Sequence, residues 1–115
     1  MSLTLYGIPN CDKVRAARRW LKEHRLDAEF IDLRNPGIDA AILRFWCDQL
    51  GWETLLNKRS TSWRALNDDQ KQDLSAESAC ALMLENPTLI KRPVLNKAGT
   101  ILLDFTTTDY QALLL

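Results

Sequence analysis

Along the first third of the chain the spacing of apolar residues changes period twice. Leu3-Thr4-Leu5-Tyr6 alternates as a strand does, and Gly7-Ile8-Pro9-Asn10 supplies the turn formers that end it. From Asp12 to Arg25 the apolar positions are Val14, Ala17, Trp20 and Leu21, with Arg15, Arg18, Arg19, Lys22 and Glu23 among them. This is the spacing of a helix with one buried face. Asn10 is the expected N-cap, which puts Cys11 in the first turn. Ala28 to Leu33 returns to strand, and Asn35-Pro36-Gly37 breaks the chain again. Strand, helix and strand in so short a stretch form a βαβ unit with parallel strands.

The middle of the chain reads as helical. Asp39 to Leu50 places Ile42, Leu43, Trp46, Cys47 and Leu50 at helical spacing, and Gly51 stands where a helix end favours a left-handed residue. Short helical pieces follow at Glu53 to Asn57, Ser62 to Leu66 and Asp68 to Leu74, then a longer helix from Ala76 to Glu85 ended by Asn86-Pro87. Past Lys91-Arg92-Pro93 the pattern is a hairpin: Val94-Leu95-Asn96, a turn at Lys97-Ala98-Gly99, and Thr100 to Leu103. A closing helix capped by Thr107 or Thr108 runs to Leu113. No repeat, low-complexity tract or linker interrupts this order.

Composition narrows the function classes. The 115 residues fit one compact domain, and 46% hydrophobic with 26% charged residues is enough to build a core. Fifteen basic against fifteen acidic residues give no net field to hold a polyanion, which argues against direct nucleic-acid binding. No apolar run approaches the roughly 18–20 residues of a membrane span, and no signal peptide is expected. Three cysteines, Cys11, Cys47 and Cys80, form no C-x-x-C pair, so free thiols and a cytoplasmic location are expected rather than a disulfide framework. A single histidine, His24, leaves too few imidazoles for most zinc sites, and no metal is expected.

Gly7-Ile8-Pro9-Asn10-Cys11 after the first strand, Leu55-Leu56-Asn57-Lys58-Arg59 in the middle and Ile90-Lys91-Arg92-Pro93 before the hairpin together resemble the ArsC/Spx family, most closely its YffB subgroup. These three separated motifs, in order, extend the resemblance over essentially the whole chain. It implies an α/β thioredoxin- or glutaredoxin-like fold, in agreement with the element order: a mixed four-stranded sheet, βαβ then ββα, with an inserted helical block. Residues 1–34 and 88–115 would form the core and 38–87 the insertion.

Cys11 carries the expected chemistry. At a strand-to-helix junction, unpaired backbone N–H groups and the positive end of the helix dipole favour an anion, so a thiolate is favoured there. Arg15 and Lys13 add to this effect and Asp12 opposes it. The bland alternative is a buried structural thiol. Cys47 and Cys80 each stand four after and three before apolar helix residues and are expected to be packed in the core. A resolving cysteine would sit at position 14, which holds Val14, so the resemblance departs from the C-x-x-C switch of the Spx regulators. An external thiol, glutathione or a glutaredoxin, is then the expected resolving partner of a single-cysteine mechanism.

The resemblance implies further site residues. Pro93 is expected to be cis and to face Cys11, with Arg92 offering a bidentate fork to a carboxylate or oxyanion beside the thiolate. Read alone, Arg-Pro before a strand is an exposed turn. Arg59 is a candidate from the middle motif, although direct alignment puts Asn57 at that position instead. Asn10 and Arg15 complete the expected glutathione or substrate surface, and Arg15, Arg18 and Arg19 otherwise read as a solvated helix face. The third arginine of the arsenate reductases would fall near Asp104, where Ile101-Leu102-Leu103-Asp104-Phe105 offers none. A carboxylate has the wrong sign for a tetrahedral oxyanion.

His24 lies several helical turns from Cys11 and is expected to assist the helix C-terminus rather than form a dyad. Trp20, Trp46, Trp52 and Trp63 read as packing residues. The expected function is a glutathione-dependent thiol/disulfide reductase acting on a small thiol or oxyanion substrate. The alternatives are an Spx-like, non-enzymatic binding module for the RNA polymerase α-subunit and a glutaredoxin-coupled arsenate reductase.

Overall fold

The computed structural model describes residues 2–115 and divides into two compact units, one containing the residues up to Asn35 together with Arg92–Leu115, the other Pro36–Lys91. In the first unit β1 (Leu3–Gly7) leads into α1 (Asp12–Glu23) and β2 (Glu29–Asp32), and an irregular turn follows over Leu33–Gly37. Strands β3 (Val94–Lys97) and β4 (Thr100–Leu103) form the hairpin, and α7 (Thr107–Leu114) closes the chain. The sheet order is β2-β1-β3-β4, with β1 parallel to β2 and antiparallel to β3, and β3 antiparallel to β4. This is the mixed sheet expected of the sequence.

Leu3 and Leu5, two apart on β1, share a face with Leu95, and that face is covered by Ala17, Trp20 and Leu21 of α1 and Tyr110 and Leu114 of α7. The apolar stripe of α1 is therefore its contact with the sheet. His24 caps that helix at its C-terminal end: its Nδ1 donates to the Trp20 carbonyl at 2.8 Å and its ring stacks on Trp20 at 3.9 Å.

In the second unit the helices are α2 (Ala40–Leu50), α3 (Trp52–Leu55), α4 (Thr61–Ala65), α5 (Asp68–Lys71) and α6 (Ala76–Glu85), followed by a 3-10 turn over Pro87–Leu89. Local polar residues start them: Asp39 accepts from the Ile42 N–H, Ser60 from Trp63, and Asn67 and Ser75 form capping boxes with Gln70 and Ser78. Gly51, between α2 and α3, takes a φ of 84°, as its place after an apolar helix suggests. Leu43, Trp46, Leu55, Ala79, Met83 and Leu89 are fully buried. Leu56 and Ile90 form an isolated bridge, and the flanking bonds from Asn57 N–H to Leu89 O and Lys91 N–H to Leu55 O hold residues 89–91 in the helical unit.

Two caps differ from expectation. Thr106, not Thr107 or Thr108, caps α7, its hydroxyl accepting from the Asp109 N–H. Cys11, not Asn10, occupies the N-cap of α1, because Asn10 is spent in the preceding turn that the Cys11 N–H closes onto the Ile8 carbonyl. No helix among the described residues is long and apolar enough to cross a membrane.

Candidate active site

The strand register brings four chain segments to one end of the sheet. Gly7 pairs with Asp32, Tyr6 with Val94, and Val94 with Leu103. The carboxyl ends of β1, β2 and β4 and the amino end of β3 therefore meet there. Cys11, Arg34, Arg92-Pro93 and Asp104 all follow or precede those ends within a few residues. Lys13 confirms the convergence, its Nζ lying 3.0 Å from the Asp104 carboxylate.

Cys11 has extended backbone angles, φ −99° and ψ 128°, and is partly exposed. Its carbonyl accepts the first intrahelical bond, from Arg15 N–H at 2.9 Å. The N–H groups of Asp12, Lys13 and Val14 thus precede the helical ladder, and no side chain caps them. At an N-cap, a side-chain acceptor normally takes a bond from the second or third of those groups. The Cys11 side chain stands at this cap beside those N–H groups.

Gly7 explains how α1 approaches so closely. A Cβ at that position would meet Val14 methyl carbons at 2.6 and 2.9 Å, so only glycine lets the first turn of the helix rest on the end of β1. Val14 is itself fully buried, which makes position 14 a packing position. Sequence pattern marked Gly7 only as a turn former; its contact with Val14 is tertiary.

The Arg92–Pro93 bond is cis, as the resemblance implies. Pro93 is buried and its carbonyl accepts the Asp104 N–H at 2.9 Å, tying the proline loop to the end of β4. Arg92 is half-buried. Asp104 takes a left-handed φ of 68°, a conformation that Asp tolerates better than most side chains. Asp32 accepts from the Arg34 backbone N–H at 2.9 Å, and this bond is the main reason its carboxyl is held below the usual carboxylate range.

The remaining expected residues fall in different settings. Asn10 is exposed in the turn before Cys11. Arg15 is exposed and paired with Asp12 on its own helix, and Lys13 with Asp104, so each cation expected to support the thiolate carries an acidic partner. Arg18 lies over the Phe30 ring at 4.2 Å. Arg59 belongs to the helical unit and is exposed. Its backbone N–H donates to Asn57 Oδ1 at 3.0 Å, so the Asn57 side chain is engaged in its own turn.

Cys47 and Cys80 correct the sequence reading. Neither is fully buried, and their sulfurs lie 2.6 Å apart across α2 and α6, so the two thiols expected in the core are half-buried partners. Each helix alone shows only a cysteine among apolar neighbours, and nothing in either pattern signals the other. Burial is the chief reason the Cys47 thiol is pushed up to about 12, with the adjacent Cys80 adding to it. Among the described residues no cluster of His, Cys, Asp and Glu could hold a metal ion.

The sequence pattern of the ArsC family matches residues 6–113. A solved structure of a YffB protein superposes with a TM-score of 0.93 at 44% identity, over 96% of this chain and 97% of the other. An arsenate reductase related protein from Brucella melitensis is 41% identical with a TM-score of 0.78, over 97% and 93% of the two chains. The global transcriptional regulator Spx of Enterococcus faecalis is 30% identical over 81% of this chain and 71% of its own. The chain belongs to the ArsC family.

Proposed function

We propose that this protein is a glutathione-dependent thiol/disulfide reductase with Cys11 as its single nucleophile. The observation that carries the reading is Cys11 at the N-cap of α1, at the end of the sheet where the cis Arg92–Pro93 loop also lies. On a mixed disulfide of glutathione and a small thiol, the Cys11 thiolate attacks the glutathione sulfur. The Cys11–glutathione disulfide forms, and the small thiol leaves as its thiolate. A second glutathione thiolate then attacks that bond, producing glutathione disulfide and restoring Cys11. The net exchange consumes one free glutathione: the mixed disulfide and one glutathione thiol become the small thiol and glutathione disulfide. Val14 at the resolving position is why the second thiol comes from outside.

In this reading the first-turn N–H groups hold the thiolate as attacking and leaving group, and Arg92 binds a carboxylate of the incoming thiol peptide. The backbone beside Pro93 pairs with that peptide as an added strand does. Asn10, Arg15 and Arg59 remain candidate contacts, and a glutaredoxin can replace glutathione as the resolving thiol. Asp104 at the same sheet end, with Lys13 committed to it, makes a tetrahedral arsenate the weaker substrate. The experiment is turnover of a small glutathione mixed disulfide by the wild type and by Cys11→Ser: the reading requires loss of turnover in the variant, and full activity there overturns it.

Similarity to Spx supports a second reading, a module that binds the RNA polymerase α-subunit without catalysis. Binding of the purified α-subunit, together with no turnover on any thiol substrate, would favour it.

A further inference from the structure

We infer that Cys47 and Cys80 form a second redox site, a dithiol that small-molecule disulfides oxidise to an intramolecular disulfide joining α2 to α6. Two observations place them for it. The sulfurs stand 2.6 Å apart, closer than unbonded heavy atoms usually pack and only a short shift from the ~2.05 Å of a disulfide bond. The two helices that carry them are packed together, with Trp46 and Ala79, the residues immediately before each cysteine, fully buried. The cysteines are therefore at the rim of a fixed helix contact, half-buried, where the thiols meet each other and a small reagent can reach them.

Glutathione disulfide is the simplest oxidant of this class. One of the two cysteines, as its thiolate, attacks one of the oxidant's sulfurs, forming a protein–glutathione disulfide and releasing glutathione thiolate. The other cysteine gives up its proton as it attacks that protein sulfur, and the second glutathione leaves. The protein loses two electrons and two protons, and one glutathione disulfide becomes two glutathione thiols. The product closes a loop between residues 33 apart in sequence, so oxidation braces the helical unit.

The reaction does not involve Cys11 and is tested without it. Cys11→Ser protein is equilibrated with increasing ratios of glutathione disulfide to glutathione, trapped with an alkylating reagent and mapped by peptide mass spectrometry. The expected result is a monomer that loses two alkylation sites and yields a Cys47–Cys80 linked peptide pair, reversed by dithiothreitol. Its Tm should rise by on the order of 10 °C on oxidation. In Cys47→Ala or Cys80→Ala the Tm shift should be lost and the remaining cysteine should carry glutathione. The same mapping on wild type gives the result should Cys11→Ser fold poorly. Two free thiols at full oxidation, independent glutathione adducts on both, or a link between two chains would overturn the inference.

Discussion

Gly7 and Val14 touch across the junction of β1 and α1: a Cβ on Gly7 would fall 2.6 Å from a Val14 methyl. Since Val14 lies three residues beyond Cys11 on the same helix, this contact sets how the N-terminus of α1 meets the sheet. Gly7→Ala is expected to destabilise the protein by about 1–3 kcal/mol through overpacking and to lower kcat/KM by displacing the first turn. Urea unfolding and turnover check both; a variant with wild-type stability and activity would show that α1 shifts freely.

Arg92 stands directly before the cis proline at the amino end of β3. Under the proposed function it binds a carboxylate of the thiol substrate by charge-assisted hydrogen bonds, which are worth about 1.5–3 kcal/mol. Arg92→Ala should then reduce kcat/KM for the glutathione mixed disulfide roughly 10- to 100-fold. Arg92→Lys should recover only part of this, because an ammonium lacks the planar fork.

Tyr110 contacts Trp20 and Phe105 edge-on inside the sheet's helical cover, and its buried hydroxyl has no hydrogen-bond partner among the described residues. A lone buried hydroxyl costs stability, whereas the ring supplies the packing. Tyr110→Phe is expected to be neutral or to stabilise by up to about 1 kcal/mol, read from urea midpoints. A loss of more than that would mean that the hydroxyl is bonded in solution.

The Cys47 thiol also predicts an alkaline limb in the stability of the reduced protein. Its folded value, about 12, lies above the reference 9.0, so the folded state keeps a proton that the unfolded chain releases. That contribution is complete below pH 9.0 and is lost as pH rises toward about 12. Tyr110, raised by burial, acts in the same direction at higher pH. Thermal unfolding under reducing conditions should therefore fall less steeply above pH 9 in Cys47→Ala than in wild type; parallel profiles would contradict the assignment.

Much of the sheet unit is legible in the sequence because local pattern and tertiary role agree there. Leu3 and Leu5 alternate onto one face, and Val14, Ala17, Trp20 and Leu21 recur at helical spacing because they rest on the sheet. The cap of α1 is less legible: Asn10 and Cys11 both precede the first apolar residue, and only the turn that uses Asn10 decides between them. The same holds for the middle motif, where the Asn57 side chain folds back onto Arg59. Least legible is the Cys47–Cys80 pair, since each thiol satisfies its own helix pattern and their meeting depends on how α2 packs on α6.

The most direct measurement of the central claim is a single-turnover reaction of the reduced protein with a small glutathione mixed disulfide and no free glutathione, quenched with acid and mapped by mass spectrometry. The proposed mechanism predicts one released thiol per chain and one glutathione bound to Cys11, removed when glutathione is added. Release of the thiol with no adduct on Cys11, or an adduct that added glutathione cannot discharge, would contradict it.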